Sequence, residues 1–135
     1  MKKGTILNQR INEAIAGIGH TDILGIVDAG FPIPLGVERI DLTLRRGIPG
    51  FMDVLNTILE DFYAESYVIA QEAFDHSPEM AANIRLSLNG CPELAIAHAE
   101  FKQRMTKAKA IIRTAEFIPY SNVILVSGGF PPIAS

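Results

Sequence analysis

Asp22-Ile-Leu-Gly-Ile-Val-Asp28 is a nearly continuous apolar run closed at both ends by aspartate. A short run without polar alternation reads as a strand buried on both faces, as in parallel sheets. Upstream, Ile11, Ala14, Ile15 and Ile18 recur at near-helical spacing. Asn8 is a good N-cap, and Gly17 and Gly19 supply a stop, so a helix is predicted over about 8–17. Downstream, Pro32 and Pro34 remove backbone donors, so residues 29–34 are neither helix nor sheet interior.

The same alternation of strand and helix continues to the end. Val37-Glu-Arg-Ile-Asp-Leu-Thr-Leu44 reads as a second strand, and Gly47-Ile-Pro-Gly50 as a turn. Phe51, Val54, Leu55, Ile58 and Leu59 fall on one helical face. Ser66-Tyr-Val-Ile-Ala70 is a third strand. Ser77-Pro78-Glu79 looks like an N-cap with proline at the first helical position. It opens a helix through Met80, Ile84 and Leu88 that stops at Asn89-Gly90. Leu94-Ala-Ile-Ala97 is a fourth strand ending at His98, and residues 99–107 form a short helix. Ala110-Ile-Ile-Arg-Thr114 is a fifth strand, Pro119-Tyr-Ser-Asn122 a turn, and Val123-Ile-Leu-Val126 a sixth strand. The expected class is α/β: a mostly parallel central sheet of about six strands with helices on both faces. Residues 1–135 are read as a single domain, with 129–135 a loose C-terminal tail.

Composition narrows the function. The 135 residues are 48 % hydrophobic and carry a net charge of −3, with no basic excess to displace counterions. Nucleic acid and anionic membranes are therefore not expected partners. A mean hydropathy of +0.22 is high for so small a chain and points to apolar surface covered in a homo-oligomer. The one cysteine, Cys91, excludes an internal disulfide and a multi-thiolate zinc site. Met1-Lys2-Lys3 is followed by no uninterrupted apolar run, so no signal peptide is expected and the expected address is the cytoplasm. His20, His76 and His98 lack metal-ligand spacing, and Gly17-Ile-Gly19 follows a helix and lacks a third glycine. Neither a metal nor a nucleotide cofactor is expected.

Ligands of open α/β sheets bind beyond the carboxyl ends of strands. Asp28 and His98 end strands, and Asn122 lies beside the last one. His20 instead precedes the first strand. An extended 22–28 separates the two ends by roughly 20 Å, so His20 and Asp28 of one chain cannot readily touch one small ligand. Contact between His20 of one chain and Asp28 of its neighbour is the preferred resolution. His76 reads as a solvated loop histidine and Cys91 as inert packing.

Several segments together carry a resemblance: Gly19-His-Thr-Asp22, Asp28-Ala-Gly-Phe-Pro-Ile-Pro34, Arg39-Ile-Asp-Leu42, Gly47-Ile-Pro-Gly-Phe51, His98 with Phe101-Lys102, Ala110-Ile-Ile-Arg-Thr114 and Glu116-Phe-Ile-Pro-Tyr-Ser-Asn-Val-Ile-Leu125. This ordered series resembles the D-ribose pyranase family, which is related to the fucose mutarotases. The resemblance implies a cofactor-independent isomerase that interconverts pyranose and furanose forms of D-ribose, and often the anomers. It also implies that His20 is the catalytic acid and that Asp28, His98, Tyr120, Ser121 and Asn122 bind the sugar. A decamer of two stacked pentamers, with sites between subunits, is implied as well. Ser121 stands where the family more often has alanine, Ala115 where glycine is common, and the end after Val126 is longer and richer in proline. Two other readings compete: a phosphocarrier using His20 in sugar uptake, and a non-catalytic sugar-binding or scaffold protein.

Overall fold

The computed structural model describes residues 1–132. Six strands form one sheet in the order β2-β5-β1-β6-β3-β4. They are β1 (Ile23–Val27), β2 (Glu38–Asp41), β3 (Ala64–Ala70), β4 (Glu93–Ile96), β5 (Ala110–Arg113) and β6 (Val123–Ser127). Neighbours β1/β5, β2/β5 and β3/β4 pair parallel. β6 lies between β1 and β3 and runs antiparallel to both. Five strands thus share one direction and the interior β6 opposes them, in agreement with the mostly parallel sheet expected from the sequence.

Helices cover both faces unequally. α1 (Gln9–Ala16), α2 (Phe51–Leu59), α3 (Glu72–His76) and α4 (Pro78–Ser87) pack on one face, and α5 (His98–Met105) on the other. Phe51, Leu55, Ile58 and Ile84 meet Leu24, Ile26, Ile112 and Leu125 in the larger core. Each such fully buried side chain contributes about 1.5–3 kcal/mol. The smaller core joins Phe31, Phe101 and Met105 to Val27, Ile111 and Ile124. Gly25 makes this second layer possible: a Cβ there would lie 2.5 Å from the Met105 methyl.

Helix ends follow local chemistry. Asn8 Oδ1 accepts the Ile11 N–H at 3.0 Å, which caps α1 as expected. α2 begins after Gly50, which has no side chain, so Glu116 acts in its place and accepts the Phe51 N–H at 3.1 Å. Pro78 opens α4 as expected, but Ser77 makes no capping bond and donates its hydroxyl to the Pro119 carbonyl. α3 is not expected from the sequence. Five residues with one buried side chain, Ala73, are too short to show a helical period. In consequence His76 is the last residue of α3, not a free loop residue, and its exposed ring lies 5.3 Å from that of Tyr120.

Candidate active site

The antiparallel insertion of β6 decides where the polar residues meet. Because β6 runs backwards, its first residues lie at the carboxyl ends of β1, β3, β4 and β5. The Asp28 N–H therefore reaches Asn122 Oδ1 at 2.9 Å. Asp28, His98, Tyr120 and Asn122 line one cleft of about 460 Å³, together with Phe31, Arg113 and Glu116. That volume lies within the usual range for a small-molecule site.

The walls of this cleft are rigidly held. Arg113 Nε donates to the Ala29 carbonyl at 3.0 Å while its Nη1 reaches the Asp41 carboxylate at 3.2 Å. The Ala29 N–H donates in turn to the Glu116 carbonyl. The turn after β1 is thus pinned on both sides of one residue. Asp28 Oδ1 accepts the Gly30 N–H at 3.1 Å. Burial pushes the Asp28 carboxyl above its ordinary value, and the Gly30 N–H, the Asn122 side chain and the backbone of Phe31 and Ser121 oppose that shift.

His98 is the first residue of α5, and its N–H donates to both oxygens of Glu72 at 3.0 and 3.1 Å. Its ring packs against Phe31, Phe101 and Tyr120, with the Tyr120 ring 5.1 Å away. Burial, reinforced by Lys102, lowers the His98 pKa, and Glu72 partly opposes this. The imidazole is therefore neutral near pH 7, and its buried Nδ1 makes no hydrogen bond within the protein. Tyr120 holds φ at +59°, the left-handed region, where the turn needs it to swing the ring into the cleft.

Two of the residues singled out in the sequence lie elsewhere. Ser121 is fully buried, lines no part of the cleft, and donates its hydroxyl to the Ile118 carbonyl at 2.8 Å. His20 sits at the opposite, amino-terminal end of β1, in a second cleft bordered by Tyr63, Gly128, Gly129, Phe130 and Pro131. Its Nε2 lies 3.0 Å from Glu65 Oε2. The segment expected as a loose tail thus borders His20 as far as Pro131, and residues 133–135 lie outside the described ones. Arg113 and Glu116 line the cleft without being expected there, although both stand in the motifs quoted above. Arg113 closes β5, one residue short of the end expected from the sequence, and its place at the carboxyl end of a strand is the signal that could have found it.

Among the described residues no group of histidines, cysteines and carboxylates could hold a metal ion. The cleft instead offers a carboxylate, a neutral imidazole, a phenol and an amide. These are acceptors and donors suited to several hydroxyls of one small polar molecule.

The model of the RbsD / FucU transport protein family matches residues 1–130, and the chain belongs to that family. It is 46 % identical over 128 residues to the D-ribose pyranase of Symbiobacterium thermophilum, covering 95 % of this chain and 98 % of the relative. It is 48 % identical, with the same coverage, to the D-ribose pyranase of Laribacter hongkongensis. The structure of Bacillus subtilis RbsD complexed with D-ribose superposes with a TM-score of 0.94 at 39 % identity, covering 97 % of this chain and all of the other.

Proposed function

We propose that this protein is a D-ribose pyranase, a cofactor-independent isomerase that interconverts the ring forms of D-ribose. The observation that carries this reading is the convergence of Asp28, His98, Tyr120 and Asn122 on one cleft, in a chain whose relatives at 46 and 48 % identity are D-ribose pyranases. Asp28 accepts from sugar hydroxyls, Asn122 and Tyr120 give direction, and the half-buried His98 imidazole in the cleft wall takes a further hydroxyl. Such a site is selective, because a missing hydroxyl leaves buried protein groups unpaired.

The chemistry is a proton exchange. The anomeric hydroxyl gives up its proton to a base, the role left to the His98 imidazole in the cleft, the bond from C1 to the ring oxygen breaks, and that oxygen takes a proton from an acid. The product is the open-chain aldehyde with a new hydroxyl. Closure through a different hydroxyl returns both protons and yields the other ring size. Histidine suits the acid role near neutral pH, and general acid–base help of roughly 10²- to 10⁴-fold suffices for a reaction that water already supports. His20 supplies this acid, and because it opens onto a different cleft from Asp28, the site is completed by a neighbouring subunit's copy of that histidine. The assembly is a cytoplasmic homo-oligomer, with two stacked pentamers as the expected form. A carboxylate 3.0 Å from His20 Nε2 repels a phosphoryl group, which disfavours the phosphocarrier reading.

Complementation tests both the role and the sharing. His20→Ala and Asp28→Ala are each expected to lose exchange between ribose ring forms, read by NMR. Mixed rings assembled from equal amounts are expected to recover about one quarter of wild-type activity, because one site in four then has both groups intact. No recovery would place both groups in one chain. Undiminished activity of His20→Ala would remove that residue from the reaction.

A further inference from the structure

Three features of the backbone converge on the His20 imidazole. The first is a bulge in β3. Ala64 pairs with Ser127 and Ser66 with Val126, so two steps on β3 oppose one on β6 and Glu65 is the extra residue. A bulge re-aims the side chain of its extra residue, and Glu65 is directed to His20, with Oε2 3.0 Å from Nε2. The second is Thr21, which holds φ at +68° immediately after His20. The left-handed region is an outlier for a β-branched residue. Strain of this kind persists only where the surroundings enforce it, and here the Thr21 N–H is tied to the Ser127 carbonyl at 2.9 Å. The third is Gly129, where a Cβ would lie 3.6 Å from His20 Nδ1. A Cβ there would be in ordinary van der Waals contact with the edge of the ring that Glu65 leaves open, so the Gly129 backbone runs alongside that edge.

We propose that Glu65 is a positioning residue for His20: its carboxylate accepts the Nε2–H and thereby presents Nδ1 as the atom that exchanges a proton with the sugar. This rests on the reading of His20 as the acid. In the neutral imidazole the bond to Glu65 fixes the proton on Nε2 and leaves the Nδ1 lone pair bare. In the protonated ring Nδ1–H points away from Glu65 and is the proton delivered to the ring oxygen. An unanchored imidazole would divide its time between tautomers and rotamers, and only a fraction would present a competent nitrogen. Asp22, the nearest other carboxylate in sequence, does not compete for the ring, since its Oδ2 accepts the Gly19 N–H at 2.9 Å.

The test compares Glu65→Ala and Glu65→Gln with wild type and with His20→Ala. Exchange kinetics give kcat and KM, and imidazole ¹⁵N shifts give the tautomer of His20. Glu65→Ala is expected to lower kcat about tenfold, with KM within about twofold, and to abolish the preference for the Nε2–H form. Glu65→Gln keeps a carbonyl acceptor and is expected to restore the tautomer and most of kcat. If His20→Ala is inactive while Glu65→Ala keeps wild-type kcat and tautomer, the positioning role is overturned and the acid role stands. If His20→Ala is fully active, the acid role itself has failed. Equal loss in the two Glu65 variants, with the tautomer unchanged, would also overturn the proposal.

Discussion

Asn122→Ala removes the side chain that ties the start of β6 to the end of β1. Asn122 is 2 % exposed, and its Oδ1 is the acceptor for the Asp28 N–H at 2.9 Å. Truncation leaves that buried donor unpaired, at about 1–3 kcal/mol. It also takes away one of the groups that hold the Asp28 carboxyl down against burial, and opens a small void. Together these amount to about 2–4 kcal/mol, which for a domain of this size corresponds to a fall in Tm of roughly 8–16 °C. The assay is thermal unfolding at fixed protein concentration, since Tm of any self-associating protein depends on it, with ribose exchange measured on the same sample. KM is expected to rise about tenfold or more, the equivalent of one lost charged hydrogen bond. Asn122→Asp is the informative partner. It keeps an acceptor for the Asp28 N–H but sets a second carboxylate beside the first, so KM still rises while Tm at low pH is spared. A Tm within about 2 °C of wild type and an unchanged KM for Asn122→Ala would refute the reasoning.

Ser121→Ala is expected to keep kcat and KM and to lose only about 0.5–1.5 kcal/mol of stability, because the hydroxyl serves the Ile118 carbonyl rather than the cleft; a sharp rise in KM would return it to the sugar site. The folded state holds the Asp28 carboxyl above its unfolded value, so between those two values the folded protein binds the extra proton. Stability of wild type relative to Asp28→Asn should therefore fall as pH rises through the interval above the ordinary carboxylate value; urea midpoints showing a flat or rising difference would contradict this. Arg113→Met frees the turn at Ala29 and is expected to raise KM several-fold with a smaller change in kcat, measured by the same exchange kinetics. Gly25→Val drives a branched side chain into Met105 and Ile111 and should cost about 1–3 kcal/mol or more in urea unfolding.

Periodicity makes most of the fold legible. The apolar positions of 51–59 delimit α2 as it stands, and each apolar run is a strand whose ends shift by a few residues at most. Periodicity says nothing about strand direction, however, and Val123-Ile-Leu-Val126 reads alike either way. The direction is available from a different signal. Only nine residues, 114–122, join β5 to β6, and they contain no helix. A parallel return needs a crossover of about a dozen residues or more, so β6 has to run back. The same gap explains the partial reading of the site. Asp28, His98 and Asn122 are visible as polar residues at strand ends, whereas Arg113 and Glu116 act through backbone groups that no spacing rule exposes. Glu65 is invisible for a related reason: a bulge is a property of the β3/β6 pairing and not of either strand alone.

The two clefts are mechanically one device. β1 begins shortly after His20 and ends just before Asp28, while β6 begins just after Asn122 and ends at the Ser127 that holds Thr21. These two strands are paired antiparallel over Ile23–Ile26 and Val123–Val126, so each carries one element of either cleft. Their side chains fill a separate core on each face of the sheet, so a one-residue slip would exchange the two sets and misplace every one of them. The separation of His20 from Asp28 within a chain is therefore fixed by the core, and no loop movement short of unfolding the centre of the sheet removes it. If both residues act on one sugar, catalysis requires a neighbouring copy to bring the amino-terminal end of its β1 to the cleft. Activity then depends on the geometry of the subunit contact as strictly as on the residues themselves. A substitution at that contact, remote from both clefts, should lower kcat while leaving the fold of each protomer intact.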